Sequence, residues 1–209
     1  MTATLAASVS AAQYHALQAP VVLPTMEELF EFQVETLRNK GLDLPGEDLD
    51  RLRSLVPDET QMFLVIPRRP DTLDLKGLMQ LIEVNGVKGQ NYLDAKQLKD
   101  VIETPSCAHL LLDVEDGRKR LNTQPSVSTE NIRGEGRVAY STWDGLMHGI
   151  LFPCVLQHHY LDLCGSRYVS GSVPSLDLFD GRVPRLNFGL NDDAHPRWGA
   201  PSAGRRLGI

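Results

Sequence analysis

Cysteine is scarce in this chain. Three in 209 residues (Cys107, Cys154 and Cys164) form an odd, sparse set. That is not a disulfide framework, and a reducing cytoplasmic setting is expected. No Cys-x2-Cys pair occurs, although structural zinc sites favour closely spaced cysteines. No apolar run approaches the ~20 residues of a membrane span. The opening "MTATLAASVSAAQYHALQAP" has neither a basic start nor a continuous apolar stretch, so it does not read as a signal peptide. Excess positive charge is missing too. Lysine and arginine number 21 against 27 aspartates and glutamates, for a net charge of −6. A general nucleic-acid binder needs a basic face, so neither nucleic acid nor membrane is expected as a partner. There is no Gly-x-Ser-x-Gly nucleophile elbow. "GVKGQN" at 86–91 lacks the glycine spacing of a nucleotide loop. No internal repeat is visible.

What is present is ordinary for a folded protein: 42% hydrophobic and 23% charged residues, enough for one domain or two small ones. Residues 1–24 read as a flexible arm and 25–209 as one domain, with 25–130 and 138–209 as candidate sub-units. Thr25 and Glu28 fit a capping box, followed by apolar residues at helical spacing up to Gly41. Glu27, Glu31 and Glu35 on the opposite face read as a solvated stripe. A short helix is expected at 47–55 and a buried strand at 62–67. Asn85-Gly86 signals a hairpin turn, and the segment before it could be helix or strand. Residues 94–102 read as a helix, 108–117 as the clearest strand and 118–140 as loop-rich. Ser141 opens a helix running to about Phe152. Short apolar runs between glycines and prolines follow, and the last fifteen residues read as irregular. The expected class is α+β: N-terminal helices, a mixed or antiparallel sheet, and a β-rich C-terminal unit.

Chemistry concentrates late in the chain. "CVLQHHYLDLCG" (154–165) holds Cys154, His158, His159 and Cys164. Cys154 and His158 could share a helical face, and with Cys164 they form the candidate zinc set. Packing is the competing reading for the cysteines. Histidine suits proton transfer near neutral pH when a carboxylate orients it. Asp144 and His148 stand at i, i+4, and Asp162 follows closely, so His158, His148, Asp144 and Asp162 are the candidate acid/base residues. Arg167 and Arg185 could hold a carboxylate or phosphate, with Trp198, His159, Tyr160 and Ser166 lining the same site. The structural alternative places Asp144 in a first helical turn and the histidines in the core. Residues 181–209 carry five arginines against two aspartates. They read either as a tail docked on an acidic body or as an anion-binding tail.

Several motifs resemble an actinobacterial domain family of unknown function. They are Leu110 to Asp113 with Gly117, Leu121, Asn122 and Pro125, then Gly165-Ser166-Arg167, Pro184-Arg185-Leu186, Trp198 and Gly204-Arg205. "ELFEFQVETLRNKG" resembles the family's opening helix, so the likeness runs from about residue 27 to 206. The resemblance implies cysteines in relatives at positions matching Tyr160, Gly189 and Ala203, hence a structural zinc site that this chain has lost. The functional expectation is a cytoplasmic small-molecule enzyme of bacterial specialised metabolism. It would carry out a cofactor-independent cyclisation, isomerisation or hydrolysis on a substrate that could be anionic. The alternatives are a non-catalytic binding or assembly protein, a homodimer included, and a zinc-stabilised domain.

Overall fold

A computed structural model describes residues 24–59 and 61–208. The expected arm lies outside the described residues except for Pro24. The capping box forms as expected: Thr25 Oγ1 accepts from the Glu28 N–H, and the Glu28 carboxylate accepts from the Thr25 N–H. It starts α1 (Met26–Asn39), whose buried stripe is Leu29, Phe30, Gln33, Val34 and Leu37. Gly41, at φ +73°, ends it. Leu42 N–H bonds the Leu37 carbonyl and Gly41 N–H that of Arg38, the paired closure of a Schellman motif. Glu27, Glu31 and Glu35 are exposed, and Arg53 at the end of α2 (Gly46–Arg53) pairs with the first two.

Two sheets carry the fold. The first has the order β1-β6-β13-β7, from Phe63–Ile66, His109–Glu115, Ser202–Gly208 and Val138–Ala139, all antiparallel. Its edge strand β1 is completely buried, so the backbone groups β6 does not reach need partners. Gln33 supplies them. Its amide donates to the Phe63 carbonyl (3.0 Å) and accepts from the Val65 N–H (2.8 Å). The second sheet has the order β12-β8-β10-β11-β4, from Trp198–Gly199, Tyr160–Asp162, Val173–Phe179, Val183–Gly189 and Gln90–Asn91. Its centre is the β10–β11 hairpin, turning at Asp180 and Gly181, both at positive φ.

The ambiguous segment resolves into helix α3 (Leu75–Leu81) and a hairpin of β2 (Glu83–Val84) and β3 (Val87–Lys88), with Asn85 and Gly86 both left-handed. Three expectations need correcting. Residues 94–102 are not a helix. They hold one 3-10 turn (Ala95–Gln97) and strand β5 (Lys99–Asp100), which pairs with β9 (Ser166–Arg167). The 118–140 segment is less loop-rich than expected, because Pro125–Gly134 is helix α4 with its proline in the first turn, where no N–H is missed. The last fifteen residues are not irregular. They supply β13, an interior strand between β6 and β7.

Helix α5 (Thr142–Leu151) is buried at every position and packs against β1 of one sheet and β10 of the other. Gly145 and Gly149, four residues apart, let the helix sit close on Leu163, just after β8, and on Ile82, just after α3. A Cβ on Gly145 would stand 2.3 Å from a Leu163 methyl, and one on Gly149 2.9 Å from Ile82. One apolar cluster joins α1, β1, β6, α5, β8, β10 and β11. Helix α6 (Val155–His158) leads directly into β8. The class is α+β, with strands dominating the C-terminal half. Among the described residues no helix is long and apolar enough to cross a membrane.

Candidate functional site

The expected acid/base residues are not gathered in one place. Asp144 closes a capping box with Ser141 at the start of α5. It also accepts a two-pronged bond from Arg206 of β13, through Nη1 to Oδ1 at 2.9 Å and Nη2 to Oδ2. The same Nη1 lies 3.1 Å from Nε2 of His109, whose Nδ1 lies 3.1 Å from the Cys107 carbonyl. A carbonyl only accepts, so Nδ1 holds the proton and Nε2 accepts from arginine. His109 is therefore neutral, in line with a pKa pushed down chiefly by burial. Asp144, His109 and both terminal nitrogens of Arg206 form a closed knot that pins β13 to α5, with the Arg206 Nε left without a partner among the described residues. Sequence reading missed both partners. Arg206 was grouped with a tail, and His109 stood in a run of leucines.

His148 is buried beside the rings of Tyr140 and Phe152, and burial lowers its pKa to about 4. His159 is buried and donates through Nε2 to the Asp116 carbonyl at 2.8 Å. His158 is exposed at the end of α6. Ser166 accepts from the Thr142 N–H (2.8 Å) and donates to Asp100 (2.6 Å), which fixes the start of α5. Arg167 donates to the carbonyls of Cys164 and Ser166. Cys154 is half-buried, whereas Cys164 is buried with its thiol pushed up to about 12, chiefly by burial. Among the described residues no group of three His, Cys, Asp or Glu side chains is placed to hold a metal ion.

The outer face of the second sheet is different. Alternation along its strands puts Tyr160 and Asp162 of β8, Ser175 and Asp177 of β10, and Arg185 of β11 on the side opposite the leucines. Arg185 forks onto Asp177 at 2.9 and 2.8 Å and covers the Phe179 ring. Tyr160 bonds the Leu178 carbonyl, takes the Arg197 guanidinium over its ring at 4.5 Å, and meets Trp198 edge-on. The segment between β11 and β12 crosses this face. A cavity of about 90 Å3 remains beneath it, lined by Pro125, Asp162, Leu190, Asp193, His195 and Trp198.

Asp162 lines that cavity at 3% exposure, and its Oδ1 has no hydrogen-bond partner among the described residues. Directly opposite, Ser175 is fully buried and its hydroxyl is likewise unpartnered. Burial alone raises the Asp162 pKa to about 7. Four expected residues thus share this face (Asp162, Tyr160, Arg185 and Trp198), and sequence reading missed Ser175, Asp193 and His195. Alternation in "VPSLDLF" was the available signal for Ser175. His195 and Asp193 carried none, because an irregular loop delivers them. Of the three positions where the resemblance implies cysteines, Tyr160 packs edge-on against the Trp198 ring, a Cβ on Gly189 would stand 3.2 Å from that ring, and Ala203 lies in the core.

A buried, unpartnered carboxyl in a small aromatic-walled cavity on an α+β scaffold defines the class of arrangement found here. The chain belongs to the family of unknown function DUF5701, whose pattern matches residues 21–206. No curated protein and no solved structure matches it.

Proposed function

We propose that the protein is a small-molecule enzyme of proton-transfer chemistry, with the cavity beneath the 190–197 segment as its active site and Asp162 as the acid–base group. The reading rests on one observation: Asp162 is 97% removed from solvent, yet leaves an oxygen unpartnered at a cavity wall. Several buried polar atoms lack a partner among the described residues, but Asp162 Oδ1 is the only carboxylate oxygen of that set, and it borders a cavity where a ligand or a water can satisfy it. A carboxyl titrating at about 7 can donate or accept a proton near neutral pH, as general acid–base catalysis requires.

Each neighbour has a role in this reading. Trp198 supplies an apolar wall that orients the substrate. The Ser175 hydroxyl offers a second hydrogen bond beside the carboxyl. His195, exposed at the rim, exchanges the proton with solvent. Arg185 and Tyr160 hold the sheet face in shape through Asp177 and the Leu178 carbonyl. The reaction class is an isomerisation, cyclisation or hydrolysis whose reacting centre is compact enough for the cavity.

The test is a thermal-shift screen of small polar metabolites against wild type, Asp162→Asn, Trp198→Ala and His158→Ala. A stabilising compound is expected for wild type and His158→Ala, and its effect should vanish in the other two. A hit that stabilises Asp162→Asn as strongly as wild type sinks the assignment. So does an Asp162 carboxyl whose 13C signal titrates near 4.

A further inference from the structure

A second surface carries charge that no carboxylate among the described residues pairs with. Strands β5 and β9 pair so that Lys99 lies directly opposite Arg167. Like charges facing each other across a ladder are destabilising. Nine of the chain's fifteen arginines pair with a carboxylate: Arg38, Arg51, Arg53, Arg69, Arg118, Arg120, Arg137, Arg185 and Arg206. Arg167 and Lys99 form no ion pair among the described residues. Neither does Lys96, which faces the same cleft. Two carboxylates of the same stretch are engaged elsewhere. Asp100 binds Arg69 and Ser166, and Asp94 caps the turn at Ala95. In a chain of net charge −6, three neighbouring cations without a counter-charge stand out.

They line a cleft of about 510 Å3, closed by Tyr168, Ser170 and Gly171, that shares no residue with the Asp162 cavity. Arg167 is partly buried and its guanidinium is held in place: Nη1 donates to two carbonyls at 2.8 Å. Nε and Nη2 have no partner among the described residues. A pre-oriented fork with free donors matches the oxygens of a phosphate, and flexible lysines add point charges around it. Tyr168 is held from behind by its ring contact with Phe188 and by its hydroxyl, which accepts from the Asp94 N–H.

We propose that this cleft is a binding site for a phosphate-bearing small molecule, with Arg167, Lys99 and Lys96 as its anion ligands and Tyr168 as the wall for the organic part. The site stands independently of the acid–base reading. It assigns Arg167 to anion binding, with a location and partners that sequence alone did not supply.

The test uses the full chain and two probes, inorganic phosphate and phenyl phosphate, followed by calorimetry and melting temperature at constant ionic strength. Sodium chloride and benzoate serve as controls. Both phosphates should bind and raise the melting temperature, phenyl phosphate more strongly, while the controls should not. Lys99→Gln should weaken binding by about ten-fold, the loss of one charge-assisted contact. It should also raise the melting temperature of the ligand-free protein, because the opposed charge is gone. Arg167→Lys should weaken binding at least as much. Should it fail to fold, Lys96→Gln paired with Lys99→Gln carries the test. The proposal is overturned if chloride matches phosphate, if Lys99→Gln binds as wild type does, or if Lys99→Gln melts lower than wild type without ligand.

Discussion

Replacing Asp162 by asparagine should stabilise this protein at alkaline pH. Asp162 is removed from water, and burial moves its titration from 3.8 to about 7. In the unfolded chain the carboxyl ionises near 4. Between those values the unfolded state has released a proton that the folded state retains, so stability falls as pH rises. At about 1.4 kcal/mol per pH unit the full cost is about 4 kcal/mol, reached above pH 7. Asparagine has nearly the same shape and no charge to bury, so it escapes this cost at every pH. Urea unfolding of both proteins from pH 5 to pH 8 reads the difference directly. Wild type should lose about 3 kcal/mol more than Asp162→Asn across that range, because part of the cost is already present at pH 5. Parallel profiles would refute the reasoning, since they would mean that the carboxyl is solvated or paired. A variant less stable than wild type at pH 8 would refute it more sharply.

Gln33→Leu should destabilise by about 2–3 kcal/mol, because it strands the Phe63 carbonyl and the Val65 N–H at a buried edge. Hydrogen exchange at Val65 should then accelerate far more than exchange elsewhere in β1. Arg206→Met leaves Asp144 charged and uncompensated in the core, which costs about 3–5 kcal/mol in chemical denaturation. Removing residues 202–208 should do more, taking an interior strand with it. Gly145→Ala should cost about 1–3 kcal/mol, because its new methyl would stand 2.3 Å from the Leu163 side chain, which is fully buried and has no free space to move into. His148 acts on the acid side. Its folded pKa of about 4 lies below its ordinary 6.5. The unfolded state therefore binds the extra proton first, and stability is lost as pH falls from about 6.5 to 4. His148→Phe should flatten that limb of the unfolding profile, and an unchanged limb would show that the ring is not sequestered.

Local chemistry was readable where one segment decides its own structure. The Thr25–Glu28 and Ser141–Asp144 caps, the Asn85-Gly86 turn and the leucine run of β6 each satisfy themselves within a few residues. Elements whose stability comes from distant partners were not. Strand β13 is "SAGRRLG", with two glycines and two arginines, and its local pattern argues against a strand. It is a strand because β6 and β7 offer ladders on both sides and Asp144 waits for Arg206. Helix α4 suffers from the same blindness. "PSVSTENIRG" has weak periodicity, and its buried positions, Pro125, Ser128 and Ile132, are apolar only in part. The 94–102 stretch failed in the other direction: its helical spacing is real, but pairing of Lys99 and Asp100 with β9 overrides it. For the site, proximity in sequence misled. Asp144, His148, His158 and Asp162 fall within nineteen positions, yet α5, α6 and β8 point them to different compartments.

The two buried carboxylates of that set show how structure separates a scaffold from a site. Both are almost fully enclosed, at 0% and 3% exposure. Asp144 accepts bonds from the Ser141 N–H and hydroxyl and from both prongs of Arg206, so its charge is matched by a buried cation and every bond is internal. Opening that knot gains nothing that a ligand could offer. Among the described residues Asp162 has no cation, an unpartnered oxygen and an unpartnered serine hydroxyl opposite it. Its enclosure carries a cost that grows with pH, and no internal contact offsets it. A leucine there would fill the space and remove the penalty, so stability alone does not account for the residue. What the position lacks is a hydrogen-bonding partner, and the cavity beside Trp198 is where such a partner can enter.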